Sequence, residues 1–196
     1  MRGNSAEWAG RTIAGAAKAV ITPPVGYPMG NWGLRQGVAR GVHRDLHARS
    51  VVFKRDGTAL ALVSLEMAGL TSETVEAIKA RIFQVAGIPA ENVLLNFTHS
   101  HTSPDTITSL PKEWITWTTW LADQVAGCVF SALNRAVPAR IGSGLGSFSG
   151  WTVNRQYPEK PIDTELGVMC IDDGGGRPIA RLVNFACHGV ADGGQY

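Results

Sequence analysis

Apolar residues along this chain fall into short blocks separated by Gly, Pro and Asp, and the spacing within the blocks changes from one to the next. Ala16 to Thr22 reads as a short strand stopped by Pro23-Pro24. From Val25 to Gly41 five glycines and one proline follow no period, which predicts a long irregular loop. Ala48 to Lys54 and Thr58 to Leu65 flank Arg55-Asp56-Gly57, and Asp-Gly between two β-rich runs signals a hairpin. Between Ser72 and Ala86 the apolar positions Val75, Ile78, Ile82 and Val85 recur at helical spacing. Thr71 or Ser72 can cap that helix, Glu73 suits its first turn and Gly87 can close it. Asn92 to Thr98 is a buried strand running into His99-Ser100-His101. A second helix is expected from Glu113 to Arg135, with Trp114, Trp117, Leu121, Val125, Cys128 and Ala132 on its apolar stripe and Pro138 beyond its end. Strands follow at 139–145, 165–171 and 181–185, the last two joined by a turn at 172–176. Strands alternate with helices early and pair with each other late. The expected fold is α/β, with mixed β-sheet layers flanked by helices.

Composition narrows the picture. A length of 196 residues with 44% hydrophobic and 17% charged residues fits one globular domain with a full core. The 23 glycines imply many turns and exclude a helical bundle. The net charge of +2 is scattered, with no basic block, so nucleic acid is not an expected partner. No apolar run approaches the ~20 residues of a membrane span, and no signal peptide stands behind Met1-Arg2. The compartment and the oligomeric state are left open. Residues 1–12 are polar and expected to be disordered. Cys128, Cys170 and Cys187 share no CxxC spacing and read as reduced, buried thiols, with Cys187 in the core.

The segment Thr98-His99-Ser100-His101-Thr102-Ser103-Pro104-Asp105 holds the densest chemistry. If the strand before it continues, strand alternation points His99 and His101 to one side, where they can share a metal or divide metal binding and proton transfer. Thr98, Ser100, Thr102, Ser103 and Asp105 can supply hydrogen bonds that orient them. The bland alternative is two solvated loop histidines. His188, in Asn184-Phe185-Ala186-Cys187-His188, follows another strand and is either a remote metal ligand or a buried core histidine. His43 and His47 read as loop residues, with a role at a site rim open to His43. Arg155 can hold a carboxylate or a developing oxyanion, or simply face solvent. The run from Gly142 to Gly146 lacks the lysine and helix of a phosphate loop, and Ser100 and Ser103 lack the context of an elbow nucleophile.

Taken in order, these blocks resemble the N-terminal part of the catalytic domain of the neutral/alkaline (non-lysosomal) ceramidase family. The resemblance runs through Ala16 to Gly26, Val42 to Arg49, Ala61 to Glu66, Gly87 to Leu95, Thr98-His99-Ser100-His101, Asn154-Arg155 and Asn184 to His188. It implies a zinc amidohydrolase, using Zn2+ to hydrolyse the N-acyl amide of ceramide to sphingosine and a fatty acid. It assigns His99 and His188 as zinc ligands, and His101 and Arg155 as catalytic groups at the substrate. The expected partner is a sphingolipid or another N-acyl amide, with peripheral membrane contact implied by a lipid substrate. The family's further ligands, a Glu and a Tyr, lie downstream of the last block, and Tyr196 does not match that Tyr. Residues 1–196 are therefore expected to form the N-terminal portion of such a domain, an incomplete catalytic domain with two of its four ligands. Departures from the family pattern are Glu66 for Asp, Ser103 for Gly and Gly189 for Pro, with Gln156 after the Asn-Arg pair. Two alternatives stay open: a relative acting on another amide or ester, and a non-catalytic interaction module.

Overall fold

The computed structural model describes residues 11–30, 37–106 and 115–189. Among them the apolar blocks form β1 (Ile13–Val20), β2 (His47–Arg55), β3 (Thr58–Leu65), α1 (Ser72–Ala86), β4 (Val93–Phe97), α2 (Ile115–Asn134), β5 (Val137–Ser147), β6 (Glu165–Asp173) and β7 (Pro178–Phe185). The strands lie in the order β4-β3-β2-β1-β5-β6-β7. Only the β3–β4 pair is parallel, with α1 in its crossover; the other pairs are antiparallel. The mixed sheet read from the sequence is thus the observed one.

Local chemistry explains the elements. Asp56 and Gly57 both take positive φ, 48° and 83°, the backbone that a tight β2–β3 hairpin requires. Thr71 caps α1 by accepting from the Thr74 N–H, and Gly87 closes it in the left-handed region. The glycine-rich 174–176 turn is held by Asp173 Oδ1, which accepts from the Gly175 and Arg177 N–H groups at 2.8 and 2.9 Å. β1 begins three residues before the expected strand. Its full ladder with β2, from Ile13↔Lys54 to Val20↔His47, sets its limits rather than its own modest hydrophobicity. It ends at Val20 because the Thr22 hydroxyl turns to Asp45 Oδ1 and the Leu46 N–H. Of the expected disordered stretch 1–12, only Arg11 and Thr12 are described, and the Thr12 carbonyl accepts from the Ala139 N–H. Glu113 and Trp114 of the expected second helix lie outside the described residues. The rest of its stripe, Trp117, Leu121, Val125, Cys128 and Ala132, is buried as expected.

Strand alternation sorts the core into two layers. Ala17 of β1, Ala48 and Val52 of β2, and Ala61, Val63 and Leu65 of β3 face Ile78 and Ile82 of α1 and Leu121, Val125 and Val129 of α2. The opposite face carries Ala14, Ala16, Val51 and Phe53 and packs against Met169, Ile171, Ala180 and Leu182 of β6 and β7. β5 joins the two halves: Pro138 still pairs with Ile13, whereas residues from Ala139 onward pair with β6. Gly15 sets how closely α2 crosses β1, since a Cβ there would lie 2.1 Å from the Ala132 carbonyl oxygen. Among the described residues no helix is long and apolar enough to cross a membrane.

Candidate metal centre

Because β4 runs parallel to β3, with Phe97 opposite Leu65, the carboxyl ends of both strands open onto the same edge of the sheet. Residues 66–70 leave β3 there and residues 98–106 leave β4. Carboxyl ends of strands are where α/β folds place their sites. The two segments are stitched together. The Thr98 N–H donates to the Leu65 carbonyl at 3.0 Å, the Ala68 N–H to Ser103 Oγ at 3.1 Å, and the Thr106 hydroxyl to the Gly69 carbonyl at 2.5 Å. Ser103 and Thr106 are both buried. From the other side the Asp105 N–H donates to the Pro28 carbonyl at 3.0 Å. At Gly30, in the same loop as Pro28, a Cβ would lie 2.8 Å from the Asp105 side chain.

His99 and His101 do converge, but not by strand alternation. β4 ends at Phe97, and His99 has φ 58°, in the left-handed region. A non-glycine residue there costs on the order of 1–3 kcal/mol, which the surrounding hydrogen bonds must offset. The turn that results brings the two imidazoles edge to face, with centroids 4.9 Å apart. His188 arrives from beyond the end of β7, its ring 5.0 Å from that of His99 and 4.7 Å from that of His101. The ligand atoms of all three lie within 4.8 Å of one another. Thus His188 is not the core histidine of the bland reading, and Cys187 is not core either. It is exposed, because it lies past the last residue of β7, where the alternation of the strand no longer fixes inside and outside.

The hydrogen bonds show which nitrogens are available. His99 Nδ1 lies 3.2 Å from the Ala68 carbonyl oxygen. A carbonyl only accepts, so Nδ1 carries the proton, and in the neutral ring Nε2 keeps its lone pair. This is how metal-binding histidines are usually oriented. His101 Nε2 and His188 Nε2 are 3.0 Å apart. A proton on either nitrogen bridges them, and a cation can take the place of that proton. Desolvation lowers the His188 pKa from its ordinary 6.5, and the charges of His101, Arg155 and His99 lower it further. All of these effects favour the neutral imidazole that a metal requires. The donor set therefore fits a divalent ion that accepts imidazole.

Arg155 is exposed, on the loop between β5 and β6, with its charge felt at His188. The same loop carries Phe148 and Trp151, stacked at 6.2 Å, and Phe148 meets Phe185 of β7 edge-on at 5.6 Å. An aromatic surface thus lies along the strand end that delivers His188. His43 is exposed and outside the cluster. His47, expected in a loop, is the first residue of β2. Its backbone N–H donates to Glu66 Oε2 at 2.8 Å, its Nδ1 lies 3.2 Å from the same oxygen, and Arg49 bonds Oε1. Sequence reasoning did not single out the Ala68 carbonyl as the group that orients His99. No side-chain pattern encodes a backbone oxygen on a neighbouring loop.

Among solved structures, the fold is similar to a ceramidase complexed with C2, at a TM-score of 0.79 and 22% identity over 92% of this chain and 32% of that one. It is similar also to the neutral ceramidase from Pseudomonas aeruginosa, at 0.77 and 20% identity with the same coverage. The chain spans about a third of the length of these structures. The likeness shows that the fold is that of the corresponding part of a neutral ceramidase, as the ordered blocks implied. No protein-family model matches the chain, and no curated protein matches it in sequence.

Proposed function

We propose that residues 1–196 form the histidine-bearing, N-terminal part of a ceramidase-like zinc amidohydrolase domain, which hydrolyses the N-acyl amide of ceramide. The observation that carries this reading is the convergence of His99, His101 and His188, on a fold shared with neutral ceramidases. In it His99 and His188 hold the metal through Nε2. Zinc, when bound, supplies Lewis acidity and a water acidified to near neutral pH. His101, beside the metal position, delivers a proton to the departing amine, which an amide needs because an amide anion leaves poorly. Arg155, on the β5–β6 loop with its charge felt at His188, has the role of stabilising the oxygen on which charge develops. Phe148, Trp151 and Phe185 offer an apolar surface to the lipid, which favours a sphingolipid over a hydrophilic amide. Convergent ligands with an orienting carbonyl favour a hydrolase over an interaction module.

The test is the zinc content of the purified full-length enzyme that contains these residues, beside its His99→Ala/His188→Ala double variant, followed by hydrolysis of ceramide and of short-chain N-acyl amides. The expected outcome is close to one zinc per chain in the parent, none in the double variant, and cleavage that favours ceramide. Full zinc in the double variant overturns the ligand assignment. Cleavage confined to water-soluble amides overturns the substrate.

A further inference from the structure

Ser103 is fully buried, next to the exposed Thr102, and its hydroxyl is committed in two directions. It accepts from the Ala68 N–H at 3.1 Å and donates to the Ser100 carbonyl at 2.8 Å. Each of those partners adjoins the histidine turn. Ala68 is the residue whose own carbonyl takes the proton of His99 Nδ1, at 3.2 Å. Ser100 is the single residue between His99 and His101. One hydroxyl therefore ties Ala68, the residue whose carbonyl orients His99, to Ser100, the residue that spaces His99 from His101. His99, held at φ 58°, needs such a constraint, because the left-handed backbone relaxes readily once its surroundings loosen.

We infer that Ser103 is a positioning residue that fixes the Nδ1-protonated tautomer of His99 and the aim of its Nε2, and so sets the metal affinity of the histidine cluster. The inference rests on the metal-site reading above, but its first readout does not need the metal. Removing the hydroxyl leaves the Ala68 N–H buried without its acceptor and the Ser100 carbonyl without its donor. Ala68 then loses the bond that fixes its N–H, its φ and ψ relax, and the following carbonyl shifts relative to His99. His99 then exchanges between its two neutral tautomers. Partners that orient metal-binding histidines typically contribute 10–100-fold to metal affinity. Thr106 provides the control. It is also buried and also joins the two loops, through the Gly69 carbonyl, yet it touches neither Ala68 nor Ser100 by its side-chain bond.

The experiment compares the parent chain with Ser103→Ala and Thr106→Val. Imidazole 15N chemical shifts of the metal-free proteins, recorded where the rings are neutral, report the His99 tautomer. Zinc titration against a competing chelator reports affinity, and thermal denaturation reports stability. The expected result is an Nδ1-protonated His99 in the parent and in Thr106→Val, a mixed population in Ser103→Ala, and a 10–100-fold weaker zinc affinity in Ser103→Ala alone, although both variants lose stability. An Nε2-protonated His99 in the parent overturns the inference, and this measurement stands even if Ser103→Ala fails to fold. An unchanged tautomer in Ser103→Ala overturns it, as does an equal loss of affinity in the two variants, which would make the hydroxyl merely structural. If no protein in the set binds zinc while the tautomer shifts only in Ser103→Ala, the metal reading fails and the positioning role of Ser103 stands.

Discussion

His101 and His188 are 87 residues apart in sequence, yet their Nε2 atoms meet at 3.0 Å. At that distance the two rings share one proton or one cation comfortably, but two protons only with like-charge repulsion. For His188 that repulsion adds to desolvation in disfavouring the charged ring.

A titration follows from this contact. His188 is held below its ordinary 6.5, first by desolvation and then by His101, Arg155 and His99. As pH falls toward 6.5, an ordinary histidine gains its proton while His188 remains neutral. Proton NMR is expected to show His188 titrating below 6.5 in the metal-free protein. In His101→Ala its midpoint is expected to rise part of the way back, because one of the opposing charges is gone. A midpoint at or above 6.5 in the parent contradicts the observed packing.

Arg155 gives a kinetic prediction for the proposed hydrolase. Its charge reaches His188 from outside the set of ligands, so Arg155→Ala is expected to leave zinc content unchanged. If the guanidinium acts on charge that develops only during reaction, kcat and kcat/KM fall together, by about 10²–10³-fold. A rise in KM with kcat unchanged would show instead that Arg155 binds the substrate uniformly.

How much of this was legible in the sequence depends on the range of the interactions. The caps Thr71 and Gly87, the Asp56-Gly57 hairpin and the stripe from Trp117 to Ala132 are local, and each was read from a few neighbouring residues. His99, His101 and His188 stood out because each follows an apolar strand. The reason that His99 and His101 converge was misread, since a positive φ at a histidine has no side-chain signature, and strand alternation was the nearest available rule. Cys187 was placed in the core by the same rule, applied two residues beyond the end of its strand. The role of Ser103 depends on Ala68, 35 residues away, and no periodicity links them.

Gly15 tests the packing beneath the site. A Cβ there would lie 2.1 Å from the Ala132 carbonyl oxygen and 2.7 Å from the Ala136 nitrogen, all backbone that cannot rotate away. Gly15→Ala must push the end of α2 off β1, and overpacking of this kind costs about 1–3 kcal/mol or more. Thermal denaturation is expected to show a lower Tm, by roughly 2–4 °C per kcal/mol lost. Because α2 lies on the sheet face that carries the core, while the histidines lie at the strand ends, zinc affinity of the folded fraction is expected to change little. A variant as stable as the parent would mean that α2 does not cross β1 this closely.

Glu66 links acid stability to the edge of the sheet that bears the site. Burial alone would raise its pKa, but the hydrogen bond and charge of Arg49, together with the His47 backbone N–H and ring, outweigh burial and hold it below its ordinary 4.5. A carboxylate depressed in the folded state contributes stability above its unfolded pKa, and that stability is lost as pH falls through the folded value. The unfolded chain takes up the proton near 4.5 while the folded chain still resists it. Glu66→Gln keeps the shape and removes the charge. At pH 7 it is expected to cost about 1 kcal/mol, the scale of a charge-assisted hydrogen bond discounted for partial exposure. Below pH 4.5 the difference between parent and variant is expected to shrink toward zero, because the parent too is losing its charge. Denaturant midpoints measured for both proteins across pH 3 to 7 check this. Parallel curves with a constant gap would mean that the carboxylate of Glu66 contributes by packing and not by its charge.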